Sequence, residues 1–144
     1  MANYNLYDDI DESKLLSLTD TLTKDISTNQ SELTEFSDSL SEDMWKASAK
    51  ETLKAGYTKL DEVFTELSNE VEKVQQACNA ITEYKQARAQ ALDYQKTIDQ
   101  LSKNVDNKGK LINLSDIQIS EGLKSACERT MEECEDKVKG ICGG

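Results

Sequence analysis

The sequence predicts an all-α protein: an elongated antiparallel helical hairpin with a long central helix and a third, C-terminal helix packed on its far half. Three observations predict it. The 144 residues contain no proline, which suits long unbroken helices because proline lacks an amide donor and clashes inside a helix. Apolar residues recur at helical spacing along most of the chain. Serine-led capping patterns stand where the second and third helices would begin.

In the first helix, Leu15, Leu18, Leu22, Ile26, Leu33, Phe36, Leu40 and Met44 keep one phase, with Asn29 filling the missing step. The spacing averages about 3.6 residues, that of a straight α-helix with one apolar stripe. Asp9 or Asp11 can cap its start. Its many serines and threonines are weak helix formers, so it needs a partner helix for stability.

The second helix opens at Ser48-Ala49-Lys50-Glu51, a capping box that places its start near Ala49. Tyr57, Leu60, Phe64, Leu67, Val71, Val74, Cys78 and Ile81 then alternate steps of three and four, a coiled-coil-like seam. The phase slips after Ile81. Tyr84, Ala87, Ala91, Tyr94, Ile98, Leu101 and Val105 form a second seam on a different face, with no glycine at the slip. One helix that changes face is the simplest reading.

Asn107, Lys108 and Gly109 mark a turn, and Ser115-Asp116-Ile117-Gln118 repeats the capping pattern. A third helix follows with Leu123, Cys127, Met131, Cys134 and Val138 inward, and Gly140 as its expected stop. The expected organisation is a single domain, 1–144, with helices at about 13–44, 49–105 and 116–139. The second helix, at ~57 residues and ~85 Å, exceeds the ~32 residues of the first. The first helix therefore covers only its first half, and the third covers the remainder. Two helices side by side bury a narrow stripe each, so a homodimer or a complex with another helical hairpin or effector is expected.

Composition narrows the function. Lys and Arg number 17 against 28 Asp and Glu, a net charge of −11. Nucleic acid and anionic membrane are poor partners for such a surface, because phosphate demands lysine and arginine. Residues 1–45 hold two basic and eleven acidic side chains, whereas residues 46–105 balance. The acidic end reads as a solvated face or a surface for a basic partner. No apolar run approaches the ~20 residues of a membrane span. Met1-Ala2-Asn3-Tyr4 lacks the basic-then-apolar pattern of a cleaved secretory signal.

The chain has no histidine, and its four cysteines, Cys78, Cys127, Cys134 and Cys142, form no CxxC pair. No cofactor or metal is expected. The usual Ser/His and Cys/His nucleophile pairs cannot be assembled, so the chain is not expected to be an enzyme. Cys127 and Cys134 are ~10.5 Å apart along a helix, too far for a disulfide. The expected layout brings Cys142 down beside Cys78, so those two could bridge in an oxidising setting; buried free thiols are the alternative.

The expected turn reads Asp43-Met44-Trp45-Lys46-Ala47-Ser48-Ala49, with Tyr57 and Phe64 on the buried face that follows. Over residues ~10–100 this resembles the Trp-x-Gly superfamily of type VII secretion proteins, the small helical hairpins related to early secreted antigens. The resemblance implies a non-catalytic protein of such a system in a Gram-positive bacterium. It would be a secreted component without a cleaved signal, or a targeting partner or chaperone of a larger effector, cytoplasmic before export. Trp45, Ala47, Tyr57 and Asp61 would then carry the turn and partner contacts, and Leu60, Phe64, Leu67, Val71 and Val74 the core seam. Two departures stand out. The family's glycine is Ala47 here, and no Tyr-x-x-x-Asp/Glu signal follows Val105. That spacing occurs instead at Tyr57…Asp61, Tyr4…Asp8 and Tyr7…Asp11. An intracellular coiled-coil scaffold or a phage structural subunit fits the same composition.

Overall fold

The computed structural model describes residues 3–39 and 47–143, with side chains over 3–38 and 51–143. Three helices carry the fold: α1 (Glu12–Ser39), α2 (Ala47–Ser102) and α3 (Leu114–Gly143). Among the described residues, the single isolated bridge Val105–Leu111 is the only β pairing. The protein is all-α, as its periodicity predicts.

The helix limits differ from expectation in instructive ways. Asp11 stands at the N-cap position before Glu12. Residues 40–44, expected to finish α1, lie outside the described residues. α2 stops at Ser102 rather than 105 because Val105 is drawn into the bridge with Leu111. The intervening turn is held by Asp106. Its carboxylate accepts from the Lys108 and Lys110 amides at 2.8 and 2.9 Å, and its own amide donates to the Lys110 carbonyl. Gly109 takes the left-handed conformation (φ 80°) that this turn requires. α3 begins two residues before its expected start. The Asn113 carbonyl accepts the first helical bond from Ile117, at 2.9 Å, so Asn113 occupies the N-cap place assigned to Ser115. The helix also runs through Gly140 to Gly143. A glycine permits a stop but does not compel one.

The contacts divide into two compact units, Ser13–Gln76 and Met1–Glu12 with Ala77–Gly144. In the second of these, the later part of α2 packs against α3. Lys124 donates to Gln95 at 2.7 Å, and the Lys137 Nζ lies 3.9 Å from Glu83, so residue numbers rise on one helix as they fall on the other. The two helices are antiparallel. Tyr84, Ala87, Ala91 and Ile98 are buried on α2, and Ile117, Met131 and Cys134 on α3. The small side chains of Ala87 and Ala91 share the core cluster with Tyr84, which is wholly enclosed.

That cluster is completed by a segment absent from the sequence-based scheme. Residues 3–10 form a strap in which Tyr4, Leu6 and Tyr7 pack on Tyr84, Ala87, Ala91, Met131 and Cys134. Tyr7 meets Tyr84 edge-on, with centroids 5.1 Å apart and planes at 81°. The Arg88 guanidinium sits 5.8 Å above the Tyr84 ring, donates to the Tyr4 carbonyl at 3.0 Å and pairs with Asp8. The Tyr84 hydroxyl donates to the Asn3 carbonyl. Lys85 donates to the Ile10 carbonyl and to Glu12, each at 2.7 Å, which holds the Glu12 carboxyl below its usual range.

The other unit is the α1/α2 hairpin. Gln75 donates to Asp20 at 3.5 Å, while Leu33 and Phe36 lie beside Leu53, Tyr57 and Leu60, so these helices are antiparallel as well. Its buried residues, among those described, are Thr19, Ile26 and Val71. Thr19 is a surprise on an apolar stripe. Its hydroxyl donates to the Leu16 carbonyl at 2.8 Å, which satisfies the buried oxygen and lets the methyl pack. The stripe is thereby rotated: Leu16 is half-buried, while Leu15 and Leu18, expected inward, are exposed.

Candidate partner-binding surface

The hairpin's first half of α2 presents one packed edge and one bare edge. Val71 is buried and Phe64 and Tyr57 are half-buried, in line with the expected seam. Leu60, Leu67 and Val74, expected in the same seam, are exposed at 51%, 43% and 42%. The reason is geometric. A coiled-coil seam has two flanks, and the single helix α1 covers one of them. Val63, also exposed, adds to the bare flank, giving an apolar run at positions 60, 63 and 67 that resumes at 74 beyond Glu70. Glu66 and Glu70 border it, and Lys73 beside it is paired with Glu70 at 3.3 Å. Exposed apolar stripes with a polar border mark interaction surfaces.

At the end of this stripe lies an apolar cavity of about 210 Å³ lined by Leu33, Phe36, Leu53, Gly56, Tyr57 and Leu60. Phe36 and Leu53 are exposed there. Asp61, one turn beyond Tyr57, opens instead on a neighbouring groove with Glu35. The Tyr57…Asp61 spacing therefore puts a half-buried ring and an exposed carboxylate on one helix surface. Tyr4 and Tyr7, which begin the other two matches, are packed into the strap, and Asp8 is paired with Arg88. Trp45 lies outside the described residues, and so does the Ala47 side chain, although Ala47 is the first residue of α2. No helical period reaches Tyr4, Leu6 and Tyr7; the strap's signal in the sequence is three large apolar residues within four positions of an otherwise polar segment.

All four cysteines are free thiols: Cys78 and Cys134 buried, Cys127 half-buried, Cys142 exposed. Burial pushes the Cys78 thiol up, with Glu12 and then Cys142 adding to the effect, so Cys78 and Cys142 are electrostatic neighbours without a bridge. Burial likewise raises Cys134, reinforced by Glu83. Thiolate is the reactive form, so a chromogenic disulfide reagent is expected to modify Cys142 first and Cys78 and Cys134 last. Four thiols are expected after unfolding without reductant. Two would mean that one disulfide had formed, which peptide mapping would assign to Cys78 and Cys142 or to another pair; equal rates at Cys78 and Cys142 would contradict the burial described.

The strap also carries titratable groups. Burial, with help from the Glu128 carboxylate, pushes Tyr4 up to about 12, and burial raises Tyr7 and Tyr84. The Tyr4 hydroxyl is buried without a hydrogen-bond partner of good geometry, despite Glu128 close by. A tyrosine whose folded pKa lies above its unfolded value of 10.0 stabilises the fold fully below that value. The contribution is lost as pH climbs from about 10 toward 12. Circular dichroism is expected to show alkaline melting in this window, softened in Tyr4→Phe. Because that variant removes an unsatisfied buried hydroxyl, its stability at neutral pH should be unchanged or up to ~1 kcal/mol higher. A loss of that size would show that the hydroxyl has a partner.

Among the described residues no helix is long and apolar enough to cross a membrane, and no cluster of His, Cys, Asp or Glu could hold a metal ion. No family model, curated protein or solved structure matches the chain. The fold and surface define a class: an all-α protein, with three helices among the described residues, whose α1/α2 hairpin leaves part of its apolar seam bare.

Proposed function

We propose that this chain works by binding another protein through the face of its α1/α2 hairpin, without catalysis. The observation that carries this reading is the bare flank of the seam at Leu60, Val63, Leu67 and Val74. A hairpin with three buried residues among those described has little core of its own. Covering that stripe would remove apolar surface from water at about 25 cal/mol per Å².

The setting we propose is a type VII secretion system of a Gram-positive bacterium, with the chain as a secreted component or as the targeting partner of a larger effector. Support comes from the sequence Asp43 to Ala49 around Trp45, between two stretches of amphipathic helical pattern, and from the Tyr57…Asp61 spacing on α2. A homodimer and a complex with another hairpin are both consistent with this role. Co-expression with the product of the adjacent gene, followed by affinity capture and light scattering, tests it. A stable complex, or a dimer of the chain alone, is expected. A strict monomer at high concentration that captures nothing would sink the reading.

A further inference from the structure

We infer that Gly56 opens a notch on the hairpin that receives a large apolar side chain from a lysine- and arginine-rich amphipathic helix of another protein. The inference rests on the hairpin being a partner-binding surface and names the partner's chemistry. Gly56 lies in the interior of α2, where glycine weakens a helix, and beyond its chain neighbours and the backbone of its own helix no atom lies within 4 Å of where its Cβ would be. Nothing inside the fold requires the small residue. Its absent side chain instead deepens the cavity between Leu33, Phe36, Leu53, Tyr57 and Leu60, which measures about 210 Å³. A dry apolar cavity of ~150 Å³ accepts benzene, so an aromatic or long aliphatic side chain fits. The notch leads into the exposed stripe at Leu60, Val63 and Leu67, which a helix can follow with side chains at every third or fourth position.

Charge selects the occupant. Residues 13–76 hold seven basic and thirteen acidic side chains, a net of −6. Glu66 borders the stripe together with Glu70, whose charge Lys73 offsets at 3.3 Å, and the groove beside the notch carries Glu35 and Asp61 with no basic lining residue. Even with Lys50, Lys54 and Lys59 nearby, residues 32–38 and 50–61 remain net acidic. A second copy would bring −6 against −6, whereas a basic helix complements the border.

The test uses the full chain and two dye-labelled synthetic helices. One combines lysine with a leucine face bearing one phenylalanine; its twin has glutamate for every lysine. Fluorescence anisotropy is expected to show binding of the lysine peptide alone. Gly56→Leu, which fills the notch and favours the helix, should weaken that binding by about tenfold or more without loss of helicity or Tm. Undiminished binding by Gly56→Leu overturns the notch, as does equal binding of the glutamate peptide. A dimer of the chain that Gly56→Leu dissociates also overturns it, in favour of a second copy. The combined variant Leu60→Gln with Leu67→Gln separates the two readings. If it abolishes binding while Gly56→Leu does not, the notch falls and the helix-face reading stands. If neither matters, both fall.

Discussion

Tyr84→Ala is expected to cost about 3–5 kcal/mol, the range for deleting a buried aromatic side chain. Tyr84 is completely enclosed, and its surroundings come from three segments. Tyr7 of the strap meets its edge, Arg88 of its own helix covers its face, and Met131 and Cys134 of α3 share its core. Removing the ring therefore leaves a cavity and takes away the surface on which residues 3–10 dock. Small domains are stable by only ~5–15 kcal/mol, so the loss is a large share of the total. Tyr84→Phe separates packing from hydrogen bonding. It keeps the ring and gives up the hydroxyl's bonds to the strap backbone, among them that to the Asn3 carbonyl, at about 1 kcal/mol each. Urea denaturation measures both values. Hydrogen exchange locates the damage: amides of residues 3–12 and 114–143 should lose protection in Tyr84→Ala. A cost below ~1 kcal/mol for the alanine variant would show that the strap and α3 do not rely on this ring.

The same ring shows where sequence reasoning succeeds. Tyr84, Ala87, Ala91 and Ile98 keep a clean helical period and are buried, and so are Met131 and Cys134 of the expected α3 stripe, while Cys127 and Val138 of that stripe are half-buried and Leu123 is exposed. Two regular stripes that face each other leave little freedom. The strap was not legible because its packing depends on no period. Tyr7 adopts a positive φ of 71°, a conformation no repeat encodes, and Arg88 and Lys85 bind backbone carbonyls, which every residue has. The phase of α1 was misjudged for a related reason. Thr19 counts as polar in a sequence, yet a bond to Leu16 makes it buriable, and Leu18 is turned outward in consequence. Gly140 shows the opposite limit: its conformational freedom permits an ending, yet the helix continues to Gly143.

The hairpin seam is the most informative mismatch, because the residue pattern is right and the burial is not. Leu60, Leu67 and Val74 sit at seam positions that a lone partner helix cannot reach. If they are kept for association, Leu60→Gln with Leu67→Gln should separate binding from folding. Glutamine is a good helix former, and both sites are exposed, so each change should alter the stability of the isolated chain by no more than ~0.5 kcal/mol. Fully burying a leucine against a partner contributes about 1.5–3 kcal/mol. Leu60 and Leu67 are 51% and 43% exposed, so about half of that remains to be gained at each, and the two losses amount to ~1.5–3 kcal/mol, or roughly tenfold to a hundredfold in affinity. Val71→Ala is the counterpart: Val71 is buried inside the hairpin, so its truncation should lower the unfolding midpoint while leaving the bare stripe intact. Light scattering of the chain with its captured partner, beside urea unfolding of each variant, distinguishes the two behaviours. Unaltered association in the double variant would mean that the exposed leucines are incidental surface. A collapse of stability comparable with that of Val71→Ala would mean that they are core in solution, and the hairpin would then have no free flank to offer.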